Sequence, residues 1–194
     1  MAIEIETHVE PGLPEWTVVG LPNGAVRESK DRVWAALKNS GLPKPRGQIT
    51  VNLAPADVRK EGSAFDLPLA LGLLAASHGL IEQQVLDELL VLGELSLDGS
   101  LRPVRGVLPM VVGARGEGRR GVIVPAVNAA EAAVVDGIET YGVETLSDAF
   151  KLVTDLNGHG TPHKHNLKEL FAEARAYPVD FADVKGQQHV KRAL

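Results

Sequence analysis

Ser63 is the first residue whose chemistry calls for an account. It lies in Lys60-Glu61-Gly62-Ser63-Ala64-Phe65-Asp66-Leu67-Pro68, a loop that runs into the apolar stretch 69–76. A serine hydroxyl is a nucleophile only beside a base. Where that base is lysine, its pKa must fall from ~10.4 through burial or a neighbouring cation. Asp66 is the next candidate. Pro68 suits a first helical turn, so the carboxylate sits at a helix entry, where capping is worth ~1 kcal/mol. Contact with a ligand or partner is the alternative reading of Asp66. His159, His163 and His165 offer imidazoles for a metal, but their polar, aperiodic surroundings supply no second shell to orient them. They read as part of a connector, with no metal site.

Cations recur in the loops: Lys44, Arg46, Arg59, Lys60, Arg102 and Arg105. On one face they would track a phosphate backbone, and binding there would weaken steeply with salt. Acidic neighbours such as Asp57, Glu61, Asp98 and Glu117 oppose this, and no aromatic residue is interleaved to stack on bases. Solvated surface charge and a nucleic-acid face both stand.

The elements that hold these residues follow from periodicity. Ile3, Ile5, Thr7 and Val9 alternate with Glu4, Glu6, His8 and Glu10, which predicts a strand with one wet face; a turn at Pro11-Gly12-Leu13-Pro14 predicts a returning strand over 16–19. An amphipathic helix follows over 25–39, capped by Asn23, with Val26, Val33, Ala36 and Leu37 inward and Arg32 among the residues facing water. A strand over 48–53 and a helix over 67–77, apolar nearly all round, come next. Asp98-Gly99, between strands 89–95 and 101–104, signals a type I′ hairpin. Helices over 107–115, 129–135 and 146–154 alternate with strands over 121–124 and 138–141. This alternation predicts an α/β two-layer sandwich with a mixed sheet.

The 194 residues carry no cysteine, which excludes a disulfide framework and a thiolate metal site, and a formal net charge of −5, which argues against a generally basic nucleic-acid coat. The opening Met1-Ala2-Ile3-Glu4-Ile5-Glu6 is not a signal peptide, and no apolar run nears the ~20 residues of a membrane span. A cytoplasmic protein is expected. The expected organisation is a domain over 1–155, a linker over 156–178 and the truncated start of another module over 179–194. The last of these ends within a helical pattern, as in a fragment of a longer protein.

Several segments carry a family resemblance. They are Val18-Val19-Gly20-Leu21-Pro22, Ile49-Thr50-Val51-Asn52-Leu53-Ala54-Pro55-Ala56-Asp57, Phe65-Asp66-Leu67-Pro68, Gly93-Glu94-Leu95 and Phe181-Ala182-Asp183-Val184-Lys185-Gly186-Gln187. In this order they resemble the N-terminal region of the YifB/ComM family of magnesium-chelatase-like AAA+ ATPases, a Lon-protease-like domain of the ribosomal protein S5 domain 2-like fold. The resemblance implies that Ala64 stands at the serine position of the Lon dyad and Met110 at the lysine position. A thioether is no base near neutral pH, and no lysine lies between Arg102 and Arg120 to partner Ser63. Arginine, at ~12.5 or above, is a poor substitute.

The resemblance further implies ATP and Mg2+ in a full-length parent, with Val184, Lys185, Gly186 and Gln187 at the edge of its adenine pocket. No phosphate loop of the form G-x-x-x-x-G-K-[ST] occurs in these residues, so ATP hydrolysis is not expected of them alone. The implied partners are the parent's own AAA+ module, further copies in a ring, and DNA, since ComM-type members are associated with branch migration. The expected role is a non-catalytic accessory domain. A Lon-like serine peptidase with a displaced dyad and a motor subunit of a metal chelatase are the competing readings.

Overall fold

The structure, a computed structural model, describes residues 3–60, 62–156 and 160–163. The predicted adenine-pocket edge and the histidines 159 and 165 therefore lie outside the described residues, as do most of the linker and all of the terminal segment. The alternating opening forms β1 (Glu4–Glu10), and β2 follows at Glu15–Val19. These two strands do not pair with each other. Between them lies β3 (Gln48–Ala54), antiparallel to β1 with Glu4 opposite Ala54, and parallel to β2 with Glu15 opposite Gln48. A parallel neighbour requires a long crossover, which α1 (Gly24–Asn39) supplies. The simple returning strand is thus replaced by a sheet of order β1-β3-β2.

Helix α1 begins where Asn23 Oδ1 accepts the Val26 N–H at 3.0 Å, as the cap residue predicts. Its buried face is Val26, Ser29, Val33, Ala36 and Leu37, an i, i+3, i+7 stripe. This face meets α2 (Asp66–His78), whose Leu67, Leu69, Leu71, Leu73 and Leu74 are fully enclosed. Each such leucine contributes ~1.5–3 kcal/mol by leaving water. Gly79, at φ 58°, ends α2 in the left-handed conformation.

A short α3 (Gln83–Asp87), which periodicity does not announce, leads into β4 (Leu89–Val91). The predicted strand 89–95 breaks at Leu92-Gly93. Its first part joins a parallel sheet, and its second, β5 (Glu94–Leu95), pairs with β6 (Leu101–Arg102). The turn between them differs from the expected type I′. The Ser96 N–H donates to Ser100 O at 2.9 Å, and only Gly99, at φ 91°, has positive φ, so a three-residue loop with a glycine bulge closes the hairpin. Asp98 accepts from both the Ser100 N–H and its hydroxyl, which holds that carboxyl below the usual range.

Helix α4 (Val107–Gly116), β7 (Gly121–Pro125), a 3-10 turn (Ala126–Asn128), α5 (Ala129–Ala132), β8 (Glu139–Val143) and α6 (Leu146–Thr154) complete the described chain. The second sheet is all parallel, in the order β4-β7-β8. Every residue of β7 is buried, as expected of a central parallel strand. Ile123 joins the larger core with α2 and α6, while Val122 and Val124 face a smaller one with Val107, Val111 and Ala132. The class is mixed α/β, as predicted. Its strands, however, are divided between a mixed sheet, a parallel sheet and a hairpin.

Candidate functional site

Two features meet around the loop that opens α2. The first is a buried ion pair. Asp66 is the first residue of α2, and Phe65 occupies the cap position without a side-chain bond. The Asp66 carboxylate points inward and is completely enclosed. It accepts Arg32 Nε at 2.6 Å and Nη2 at 3.0 Å, together with the Leu95 N–H at 3.1 Å. Such a fork against a carboxylate is the strong geometry for an ion pair. Arg32 Nη2 also reaches the Ser29 hydroxyl and the Ala25 carbonyl. The Asp66 hydrogen bond and then its charge hold the guanidinium above its ordinary pKa, against the opposing effect of burial.

Neither sequence reading of Asp66, helix cap or ligand contact, describes this arrangement. Arg32 likewise does not face water as predicted; its side chain is 22% exposed. A signal existed. Ser29 and Arg32, three apart, fall on the stripe of Val26 and Val33, and a cation on a buried stripe demands a carboxylate partner.

The second feature is a cavity of about 930 Å³ walled by β1, α2, α3, β4 and α4. Ala64 and Met110, far apart in sequence, both line it. Met110 is 38% exposed, so it is a wall residue and not the interior packing residue that its type suggests. Among the described residues lining this cavity there is no lysine, and the cation is Arg119.

Ser63 is not among the lining residues; its hydroxyl donates to the Glu94 carboxylate. Glu94 is a partner that the sequence did not single out. Lys60, only 1% exposed, donates its ammonium to the Pro55 carbonyl. A serine–lysine mechanism needs the amine within about 2.6–3.2 Å of the hydroxyl. Here the two groups are bonded to different acceptors.

The cations sort unevenly. Buried Lys60 must be withdrawn from any surface that could meet phosphate. Lys44 and Arg46 are exposed on the loop between α1 and β3, Arg59 on the loop after β3, and Arg102 and Arg105 at and beyond β6. Arg102 Nε donates to Ser96 Oγ at 2.8 Å. Lys44 Nζ stands 5.5 Å from the centre of the Trp34 ring, a cation–π contact. Trp34 itself meets Trp16 edge-on at 5.5 Å. An aromatic that sequence order separates from the cations is therefore beside one of them in space. His163 is exposed, and its backbone N–H donates to Thr140 O at 2.6 Å.

The fold is that of a Lon-like mixed α/β domain, and among the described residues its cavity wall carries neither Ser63 nor a lysine. Residues 5–128 match the family described as "Subunit ChlI of Mg-chelatase", and the chain belongs to that magnesium-chelatase-like family. It is 42% identical over 198 residues to Competence protein ComM of Haemophilus influenzae, an alignment covering 99% of this chain and 37% of the relative. It is 40% identical over 192 residues to Uncharacterized protein YifB of Escherichia coli, with the same coverage of 99% and 37%. Similarity to Lon protease 2 of Bacillus subtilis is weaker, at 26% over 144 residues, 71% of this chain and 25% of that one. The chain thus spans 37% of the length of the ComM and YifB relatives. Among the described residues no helix is long and apolar enough to cross a membrane.

Proposed function

We propose that this chain is a non-catalytic accessory domain of a cytoplasmic, magnesium-chelatase-like AAA+ ATPase. Its parent would use ATP and Mg2+ in a ring to drive DNA branch migration in the manner of ComM. The observation that carries the reading is the pair Ala64 and Met110 on the walls of one cavity, where a Lon-type enzyme would need a hydroxyl and an amine. The full-chain similarity to a competence protein supports the rest. In this reading the domain contributes contacts between copies or with DNA, and hydrolysis belongs to residues outside it.

For DNA, the exposed Lys44 beside Trp34, with the exposed Arg46 two residues further on the same loop, is the favoured contact, because it combines charge with an aromatic ring. Titration of the chain with branched and single-stranded DNA across salt concentrations tests this. Affinity should fall steeply as salt rises, and Arg46→Ala should lower the slope by about 1. Binding that ignores salt, or that Arg46→Ala leaves untouched, argues against this face.

A further inference from the structure

The cavity beside Ala64 and Met110 lies between two strand edges. β1 and β4 are each the outermost strand of their sheet. From both, successive residues line the cavity, 4–7 of one and 89–91 of the other. Because side chains alternate between faces, consecutive lining residues mean that a strand presents its edge.

The backbone of β4 gives the polarity of that edge. Glu88 O accepts the Arg120 N–H at 2.9 Å, and the Leu92 N–H donates to Ile123 O at 2.9 Å. These bonds turn the even-numbered residues toward β7, so Leu89 and Val91 aim their N–H and C=O groups the other way. Gly93, next in that outward series, already has a partner segment. Its N–H donates to Ala64 O at 3.0 Å, and its carbonyl accepts the Leu67 N–H at 3.0 Å. The chain thus closes one end of the edge with its own backbone. At Leu89 and Val91 no such pairing is made among the described residues.

Unpaired edge groups are a template for an added strand. The walls supply the selectivity. Phe65, Pro68, Leu86 and Met110 give apolar surface, and Glu4, Glu6, Asp87 and Glu117 outnumber Arg119 in charge. The volume lies within the ~300–1,000 Å³ range of ligand-binding sites.

We propose that this cavity takes an extended polypeptide segment of alternating apolar and basic side chains, added as a strand along β4. Main-chain bonds run to Leu89 and Val91. Apolar side chains enter against Phe65 and Met110, and basic ones meet the carboxylates of β1 and α3. With alanine and methionine in place of a serine–lysine pair, the segment is held and not cut. The occupant is another protein's tail or linker, read by its backbone and its charge.

The test uses the full 194-residue chain and a fluorescein-labelled decapeptide of alternating valine and lysine, capped at both ends. Anisotropy should saturate, and hydrogen exchange should slow at the Leu89 and Val91 amides. A peptide with proline at alternate positions, lacking the donors that face β4, should bind at least tenfold more weakly. So should one with glutamate in place of lysine.

Gly113→Leu gives a steric check. Gly113 lines the cavity from α4, and a Cβ there meets nothing within 4 Å. Leucine is the better helix former, so this variant should melt no lower than the parent while losing the peptide. Equal binding by the proline or glutamate peptide overturns the proposal. So do unchanged exchange at Leu89 and Val91, normal binding by Gly113→Leu, or no saturation at all.

Discussion

Arg32 and Asp66 tie α1 to the start of α2 and to β5 through one carboxylate that water does not reach. Removing either partner strands the other, which typically costs 3–5 kcal/mol for a buried pair. Arg32 keeps some exposure, so Asp66→Ala should sit near the low end, a loss of about 3 kcal/mol in urea unfolding. Restoring shape without charge, by Arg32→Met with Asp66→Leu, should recover much of that loss.

A second residue sets a pH limit. Burial first, and then the hydrogen bond to Glu139, push the Tyr141 phenol from 10.0 up to about 12. The folded state therefore keeps a proton that the unfolded chain releases at lower pH. Stability from this group is intact below pH 10 and is lost as pH rises from 10 to 12. Unfolding curves for Tyr141→Phe should be flatter across that window than those of the parent. At Ser63, a fluorophosphonate probe should leave the hydroxyl unlabelled, because its partner is a carboxylate and Lys60 is bonded elsewhere.

At the level of elements, capping and close approach decide more than propensity. Thr145 and Asp148 form a reciprocal box at the start of α6, with the Asp148 N–H on Thr145 Oγ1 at 3.1 Å and the Thr145 N–H on Asp148 Oδ2 at 3.2 Å. Thr145→Ala should cost ~1 kcal/mol in urea unfolding. Gly93 lets β5 pass the root of α2. A Cβ there would lie 2.8 Å from Leu101 Cδ2 and 3.0 Å from Leu67 Cβ, so Gly93→Ala should destabilise the hairpin and the helix start together.

Long periodic elements were legible in the sequence. α1 and α6 lie within a residue of their predicted spans, because helical periodicity marks both and the Asn23 cap marks the start of α1. The pairing of strands was not. β1 and β2 look like a hairpin because only a turn separates them, whereas the partner of both is β3, beyond α1. Local pattern carries no record of such distant pairing. The same holds at the site, where Ala64 and Met110 come to line one cavity through three-dimensional closure alone. Their correspondence to a dyad is what the family resemblance implies, while the Ser63–Glu94 bond and the burial of Lys60 leave no local signal in the sequence.

For the molecule as a whole, a net charge of −5 coexists with exposed cations on several loops. Whole-protein charge therefore disfavours a diffuse DNA coat, and any affinity must come from a local patch. The central strand β7 has a separate consequence. Ile123 is embedded in one apolar cluster while its neighbours Val122 and Val124 are embedded in the other. A single five-residue strand is thus a shared wall between two interiors, and neither can empty while the other stays packed. Calorimetry of the described domain should accordingly record a single melting peak. A truncation such as Ile123→Ala should shift that peak downward as one without splitting it.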